Sequence, residues 1–222
     1  FGLQCMTGSG VLTPQYFPKL MTEILKIAKI IMDDLNIRFN HISLGGGYGI
    51  PYQENENSLD FIKIFKNISD VFHNFFRGKN IPSFWIEPGR SVVGNTGILV
   101  SKVTGVKNSY KNFIGLDAGM ETLMRPALYG AKHRIIPLNK KRKYSNKNYE
   151  FVGPICESTD KFLSVKKFEK LKEKDLIIIC DVGAYGSSLS SNYNLRSKPA
   201  EILVKGSRII IAKKRQKLKD FI

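Results

Sequence analysis

The first ninety residues alternate short β-rich runs with long helical ones, and the β-runs end in glycine or in a polar turn. That alternation restricts the fold more than any other feature. Strand, helix, strand, with glycine and polar residues at the strand C-ends, is the pattern of a barrel or a doubly wound sheet. Thr13 followed by Pro14 predicts a helix start, and Leu20, Ile24, Ile27, Ile31 and Leu35 then recur at helical spacing. Residues 41–44 predict a short strand running into Gly45, Gly46 and Gly47. Ser58 is the expected cap of a second helix, with Leu59, Ile62, Phe65, Val71 and Phe75 at its apolar positions. Residues 83–86 form a third strand-like piece that ends in Glu87-Pro88-Gly89-Arg90.

Beyond about residue 93 the texture changes. Short β-rich runs at 98–106, 113–117, 149–152, 176–181, 202–204 and 208–211 are separated by glycine, asparagine and lysine turns, which predicts a mostly antiparallel β domain. The expected boundary lies near residues 91–96, dividing the chain into 1–92 and 93–222, with residues 139–148 as a polar, basic surface loop. A closed barrel needs about eight strand-helix units and only about three are present, so the chain is expected to begin in mid-domain. Its first residue, Phe1 rather than Met, points the same way.

With 222 residues, 42% of them hydrophobic, the chain can bury one large core or two smaller ones. Nothing resembles a signal peptide, and no apolar run approaches the roughly 20 residues needed to cross a bilayer, so a soluble protein without a membrane partner is expected. Cys5, Cys156 and Cys180 have no close spacing, and His41, His73 and His133 are scattered, so no metal site is expected. A reduced compartment follows, the cytoplasm or, in a plastid-bearing organism, the stroma, and one cysteine is a candidate reactive thiol. The net charge of +16, with basic runs at 140–143 and at Lys213-Lys214-Arg215, raises the question of nucleic acid. No recognition helix, zinc finger or RNA-binding aromatic motif accompanies those runs, so the lysines read as solvated faces and no nucleic-acid partner is expected. The same charge helps to attract an anionic cofactor and a dicarboxylate substrate.

Three segments have the chemistry of a phosphate and cofactor cradle. Gly8-Ser9-Gly10 offers a hydroxyl between two flexible amide positions, and Gly45-Gly46-Gly47-Tyr48-Gly49 lets backbone approach an anion without side-chain interference. Each alone reads equally well as a tight structural turn, and the second fails the dinucleotide pattern because Ile50 stands where a third glycine belongs. Glu87 at a strand end suits a protonated pyridine nitrogen, and Arg90 suits a phosphate or a carboxylate; a plain Glu-Arg ion pair is the structural alternative.

Taken together, six segments resemble the diaminopimelate decarboxylases in family order: residues 41–52, 87–90, 117–120 with 123–130, 152–158, 181–188, and 191–194. The resemblance covers nearly the whole chain and corresponds to the C-terminal half of that family. It implies the C-terminal part of a (β/α)8 barrel of the alanine-racemase kind, followed by a β domain. It implies the cofactor pyridoxal 5'-phosphate and the conversion of meso-2,6-diaminopimelate to L-lysine and CO2. Ser9, Gly47 and the turn Glu87, Pro88, Gly89 and Arg90 would bind the cofactor together with Tyr185, and Glu87 would face the pyridine nitrogen. Arg90, Arg125, Tyr129 and Tyr185 would contact substrate, the arginines and Tyr129 at its distal carboxylate, with Glu157 at its distal ammonium. Cys156 would be the catalytic proton donor, reaching a partner's site in a homodimer with shared active sites. Its structural alternative is an inert buried cysteine.

Two departures from the family stand out. Its Schiff-base lysine lies in a stretch with no counterpart here, and Met6 occupies the place of a histidine that stacks on the cofactor ring. The rival readings are a related basic amino-acid decarboxylase and a non-catalytic relative. The missing lysine and the incomplete strand count yield a first prediction. These 222 residues alone, purified and supplied with cofactor, should release no CO2 from meso-diaminopimelate, and measurable release would overturn that expectation.

Overall fold

The computed structural model describes residues 1–78, 80–138 and 144–220; the basic run at 140–143, and residues 139–143 of the expected surface loop, lie outside them. The described chain divides into two compact units, Phe1–Gly94 and Asn95–Ile222.

In the first unit three short strands, β1 (Gly2–Gln4), β2 (His41–Ser43) and β3 (Ser83–Trp85), pair in parallel in the order β1-β2-β3. Their register sets Leu3, Ile42 and Phe84 side by side, and these pack into one core with two helices, α1 (Tyr16–Leu35) and α2 (Phe61–Phe75). Phe17, Met21, Ile24, Leu25 and Ala28 form the buried stripe of α1, and Ile64, Ile68 and Phe72 that of α2. Both stripes follow the i, i+4 spacing that a helix needs to present one apolar face. Tyr48 stacks on Phe17 with ring centroids 4.2 Å apart, and burial pushes its phenol pKa up to about 12.

Several sequence expectations shift at the helix ends. Helix α1 begins at Tyr16, not at Pro14; Thr13 instead contributes the carbonyl that accepts from the Tyr16 amide in the turn before the helix. Its apolar face is also rotated from the expected one, because Ile27 and Leu35 are exposed while Phe17, Met21 and Leu25 are buried. The cap of α2 is Asp60 rather than Ser58: its carboxylate accepts from the Lys63 amide at 3.1 Å, satisfying a donor that the first turn leaves free. Ile62 is 87% exposed, so it lies off the buried stripe.

The second unit holds a six-stranded sheet and a separate hairpin. The sheet comprises β4 (Leu99–Asn108), β5 (Asn112–Leu116), β6 (Ile135–Pro137), β7 (Asn148–Val152), β8 (Lys161–Lys166) and β9 (Leu176–Ile179) in the order β6-β9-β4-β5-β7-β8. All neighbours are antiparallel except β5 and β7, which run parallel, so the sheet is mixed. Val103, Ile114, Leu116, Phe151, Phe162, Ile177 and Ile179 form its buried face. Strands β6 and β8 were not expected. The first is three residues long and ends in proline, and the second is flanked by lysines that mask its apolar positions. The hairpin pairs β10 (Glu201–Lys205) with β11 (Arg208–Lys213). Two short helices complete the elements used below, α3 (Arg90–Val93) in the first unit and α4 (Arg125–Tyr129) in the second. No helix among the described residues is long and apolar enough to cross a membrane.

The reassigned cap is testable. Asp60→Ala should lower stability by about 1 kcal/mol, the usual cost of losing a side-chain cap, whereas Ser58→Ala should change it by less than about 0.5 kcal/mol. Urea midpoints of the two variants measured side by side decide between the two positions.

Candidate active site

Because β1, β2 and β3 are parallel neighbours, their C-terminal ends lie on one edge of the sheet, and the loop leaving each end carries one of the candidate segments. Backbone hydrogen bonds tie the loops together. The Cys5 amide donates to the Ser43 carbonyl, Glu87 N to Gly45 O at 2.8 Å, and Val11 N to Gly47 O at 2.8 Å. The middle loop is pressed between its two neighbours, which explains the run of three glycines. A Cβ on Gly46 would stand 2.6 Å from the Glu87 carbonyl, and one on Gly47, where φ is +94°, would stand 2.6 Å from that of Gly8.

Side chains continue the pattern. Arg90, at the start of α3, donates through Nη2 to Ser9 Oγ at 3.2 Å and through Nη1 to Tyr52 Oη at 2.8 Å. Ser43 is buried and donates its hydroxyl to Glu87 Oε1 at 2.7 Å, fixing the orientation of an otherwise exposed carboxylate. Pro88 and Gly89 form the turn into α3, where the Val92 amide bonds the Gly89 carbonyl. Ser9, Gly47 and the 87–90 turn are therefore drawn together. Met6 is exposed, and its methyl lies 3.9 Å from where a Cβ on Gly46 would stand. The Cys5 thiol is pushed above its ordinary pKa by burial and by the nearby Glu87 charge.

In the second unit the candidates occupy three places. Cys156 and Glu157 are exposed on the turn between β7 and β8, so the thiol is not buried. Tyr193 donates its hydroxyl to Glu157 Oε1 at 3.0 Å, and that contact holds the phenol above its usual pKa, keeping it a donor. Arg125 and Tyr129 share α4, which packs against β8; Arg125 is only 5% exposed whereas Tyr129 is 66% exposed. Tyr185 lies in the loop after β9 with φ at +60°, a left-handed conformation that is uncommon for a bulky side chain and marks a locally determined backbone.

Three residues that carry this arrangement were not singled out from the sequence. Asp160, almost fully buried, accepts from the Met120 amide at 2.7 Å and the Ile155 amide at 2.8 Å, closing the turn that displays Cys156 and Glu157. Arg196 donates through Nε to buried Glu121 at 2.8 Å and through Nη2 to the Asp117 carbonyl, pinning the segment around Tyr193. His133 bridges Arg125 Nη1 at 2.9 Å and the Cys180 carbonyl at 2.8 Å. Asp160 and His133 stand close in sequence to candidate residues, but only tertiary folding reveals what each one holds.

Residues 21–183 match the family described as the pyridoxal-dependent decarboxylases, C-terminal sheet domain. The chain belongs to that family. It is 36% identical to a diaminopimelate decarboxylase of Archaeoglobus fulgidus, over 100% of this chain and 52% of that one. Among solved structures, the diaminopimelate decarboxylase of Helicobacter pylori complexed with L-lysine is 34% identical with a TM-score of 0.86, covering 99% of this chain and 52% of the other. The enzyme of M. jannaschii is 29% identical with a TM-score of 0.90, covering 98% and 50%. The chain thus spans about half the length of the decarboxylases it matches.

The Asp160 staple generates a prediction. Asp160→Ala strands two backbone donors at a cost of about 1–3 kcal/mol for each that remains buried, so stability should fall and amide exchange at Ile155 and Met120 should accelerate. Burial raises the Asp160 carboxyl above its usual pKa, ahead of the opposing backbone bonds. The wild-type fold is therefore favoured by protonation below the ordinary carboxylate pKa and loses that gain as pH rises through the raised value. The variant should lack this part of the pH dependence, which thermal unfolding at several pH values measures.

Proposed function

We propose that this chain is the C-terminal half of a pyridoxal-phosphate-dependent diaminopimelate decarboxylase, which converts meso-2,6-diaminopimelate to L-lysine and CO2. Residues 1–92 are read as the closing part of a (β/α)8 barrel and residues 93–222 as the β domain. The observation that carries the reading is the set of three interlocked loops at one edge of the parallel strands, with Ser9, Arg90 and Glu87 held by specific hydrogen bonds. That edge is where barrels hold phosphate. The cofactor fits these residues. Gly47 and Gly46 leave no room for a Cβ and so keep bare backbone there, the Ser9 hydroxyl and the Arg90 guanidinium suit a phosphate, and the Ser43-anchored carboxylate of Glu87 suits a protonated ring nitrogen.

When bound, the cofactor supplies an electron sink for the carbanion left as CO2 departs. The Schiff-base lysine lies outside this chain, whose own residues bind, orient and protonate. Ser9, Gly47, Glu87–Arg90 and Tyr185 bind and orient. Arg90, Arg125 and Tyr129 pair with the distal carboxylate of the substrate, and Glu157, oriented by Tyr193, pairs with its distal ammonium. A site built around those charges rejects a simple diamine precursor, because the guanidiniums would be left unpaired. Cys156 donates a proton from Sγ to the carbon that has lost CO2, and its exposure on the β7–β8 turn supports delivery into the site of a partner in a homodimer. The cytoplasm is the proposed compartment, in keeping with three free thiols.

Complementation in the complete enzyme tests this assignment. Cys156→Ala should retain cofactor and lose activity by a factor of about 10²–10⁴. Mixed with a chain lacking the Schiff-base lysine, it should recover activity at about a quarter of the wild-type sites, since heterodimers make up about half the population and each has one intact site. No recovery despite demonstrated subunit exchange would place both groups in one chain's site. Full activity of Cys156→Ala alone would remove the cysteine from the mechanism.

A further inference from the structure

Ser43 is the last residue of β2 and is only 2% exposed, yet it bonds to all three loops of the cradle. Its backbone carbonyl accepts from the Cys5 amide, which ties it to the loop after β1. Its hydroxyl oxygen accepts from the Gly45 amide at 3.1 Å and donates to Glu87 Oε1 at 2.7 Å. The direction of those two bonds is fixed. An amide N–H can only donate and a carboxylate can only accept, so the single hydroxyl proton of Ser43 must point at Glu87. The Glu87 amide donates back to the Gly45 carbonyl at 2.8 Å, so Ser43, Gly45 and Glu87 form a closed ring of three hydrogen bonds.

That ring joins groups suited to opposite ends of the cofactor. Gly45 opens the run of bare backbone that suits a phosphate, and Glu87 carries the carboxylate that suits the ring nitrogen. Glu87 is exposed, and a glutamate side chain left to solvent samples several rotamers. The bond from Ser43 removes that freedom. Neither end of the link can swing away, because a Cβ on Gly45, where φ is +65°, would overlap the Cys5 carbonyl, and Ser43 itself is buried in the strand. Both of its bonds therefore act in a setting of low dielectric, where a paired hydroxyl holds its neighbours more firmly than it would in water.

We propose that Ser43 is a positioning residue for the cofactor. Its one hydroxyl couples the carboxylate of Glu87 to the glycine loop, so that the partner of the ring nitrogen and the cradle of the phosphate keep a set spacing. With Oε1 committed to Ser43, Oε2 is the oxygen offered to the ring. This rests on the reading of Glu87 as the group that faces the ring nitrogen, and adds the residue that aims it.

The test uses the complete enzyme, cofactor labelled with ¹⁵N in its ring, and three variants. Ser43→Ala removes the hydroxyl, Ser43→Thr keeps it, and Glu87→Gln tests the underlying reading. In Ser43→Ala the ring ¹⁵N resonance should move from the protonated towards the unprotonated position. The dissociation constant for the cofactor, from equilibrium dialysis, should rise about tenfold, as loss of one hydrogen bond to a charged group implies. Turnover should fall while KM for meso-diaminopimelate stays within about threefold of wild type, because Ser43 is not among the substrate contacts. Ser43→Thr should keep the wild-type resonance and a dissociation constant within about threefold of wild type. A wild-type resonance in Ser43→Ala alongside a shifted one in Glu87→Gln would overturn the inference and leave the reading of Glu87 intact. An unprotonated ring in the wild type, or a wild-type resonance in Glu87→Gln, would remove that reading and this inference with it. Equal weakening of cofactor binding by Ser43→Ala and Ser43→Thr would mean that the space at this position matters and the hydroxyl does not, which also overturns the proposal. Should Ser43→Ala fail to fold, Ser43→Cys takes its place, since a thiol is a weak donor of similar size. The resonance should then move in the same direction, and an unmoved one counts against the proposal as it does for alanine.

Discussion

Parallel pairing of three strands is the constraint on which the candidate cradle depends. A parallel ladder aligns chain direction as well as backbone groups, so every loop that leaves a strand C-end emerges on the same edge. Once β1, β2 and β3 are in register, Ser9, Gly47 and Glu87 need only short loops to meet, although they are far apart in sequence. The glycines of the middle loop follow from that crowding. With the Glu87 carbonyl on one side and that of Gly8 on the other, a side chain at 46 or 47 would force the loops apart. Chemistry at this edge is thus a by-product of strand direction, and the helices that bury Ile42 and Phe84 on the other side keep the direction fixed.

In the second unit the ordering principle is different. The turns there are held by buried polar groups that each serve two or more neighbours. Asp160 binds two amides, Arg196 binds a carboxylate and a carbonyl, and His133 binds a guanidinium and a carbonyl. Each group is satisfied by partners from different segments, so the displayed residues are set by tertiary structure and not by local turn preference. Such networks are stable only when their members are paired, which makes the loops that carry Glu157 and Tyr185 sensitive to changes at positions that never meet substrate.

These two principles explain what was legible in the sequence. Helices and most strands were readable because hydrophobic spacing is local, but the buried stripe of α2 is Ile64, Ile68 and Phe72 and not the expected set that included Ile62, Phe65, Val71 and Phe75. Helix ends were less readable. Asp60 and Ser58 are both good caps, and the choice between them depends on where Leu59 must be buried. Strand β8 stayed hidden because lysines stand at both of its ends and leave only a short apolar stretch between them. The residues of the candidate site were nameable from their motifs, whereas those that hold them were not. His133 looks like any isolated histidine until β9 brings the Cys180 carbonyl to its ring, and a relation of that kind leaves no trace in spacing.

The order of strands in the larger sheet also sets a clock on folding. Strand β4 pairs with β5 next to it and with β9, so Val103 and Ile179 enter one core although about 75 residues separate them. At a synthesis rate of about 5–20 residues per second, the apolar face of β4 waits roughly 4–15 s on the ribosome before its second neighbour exists. Closing so distant a pairing is slow by nature, because loop entropy is lost before the contacts form. The first unit, whose helices flank their own strands, faces no comparable delay. The nascent sheet is therefore the part of this molecule whose apolar surface stays longest without its partner strand.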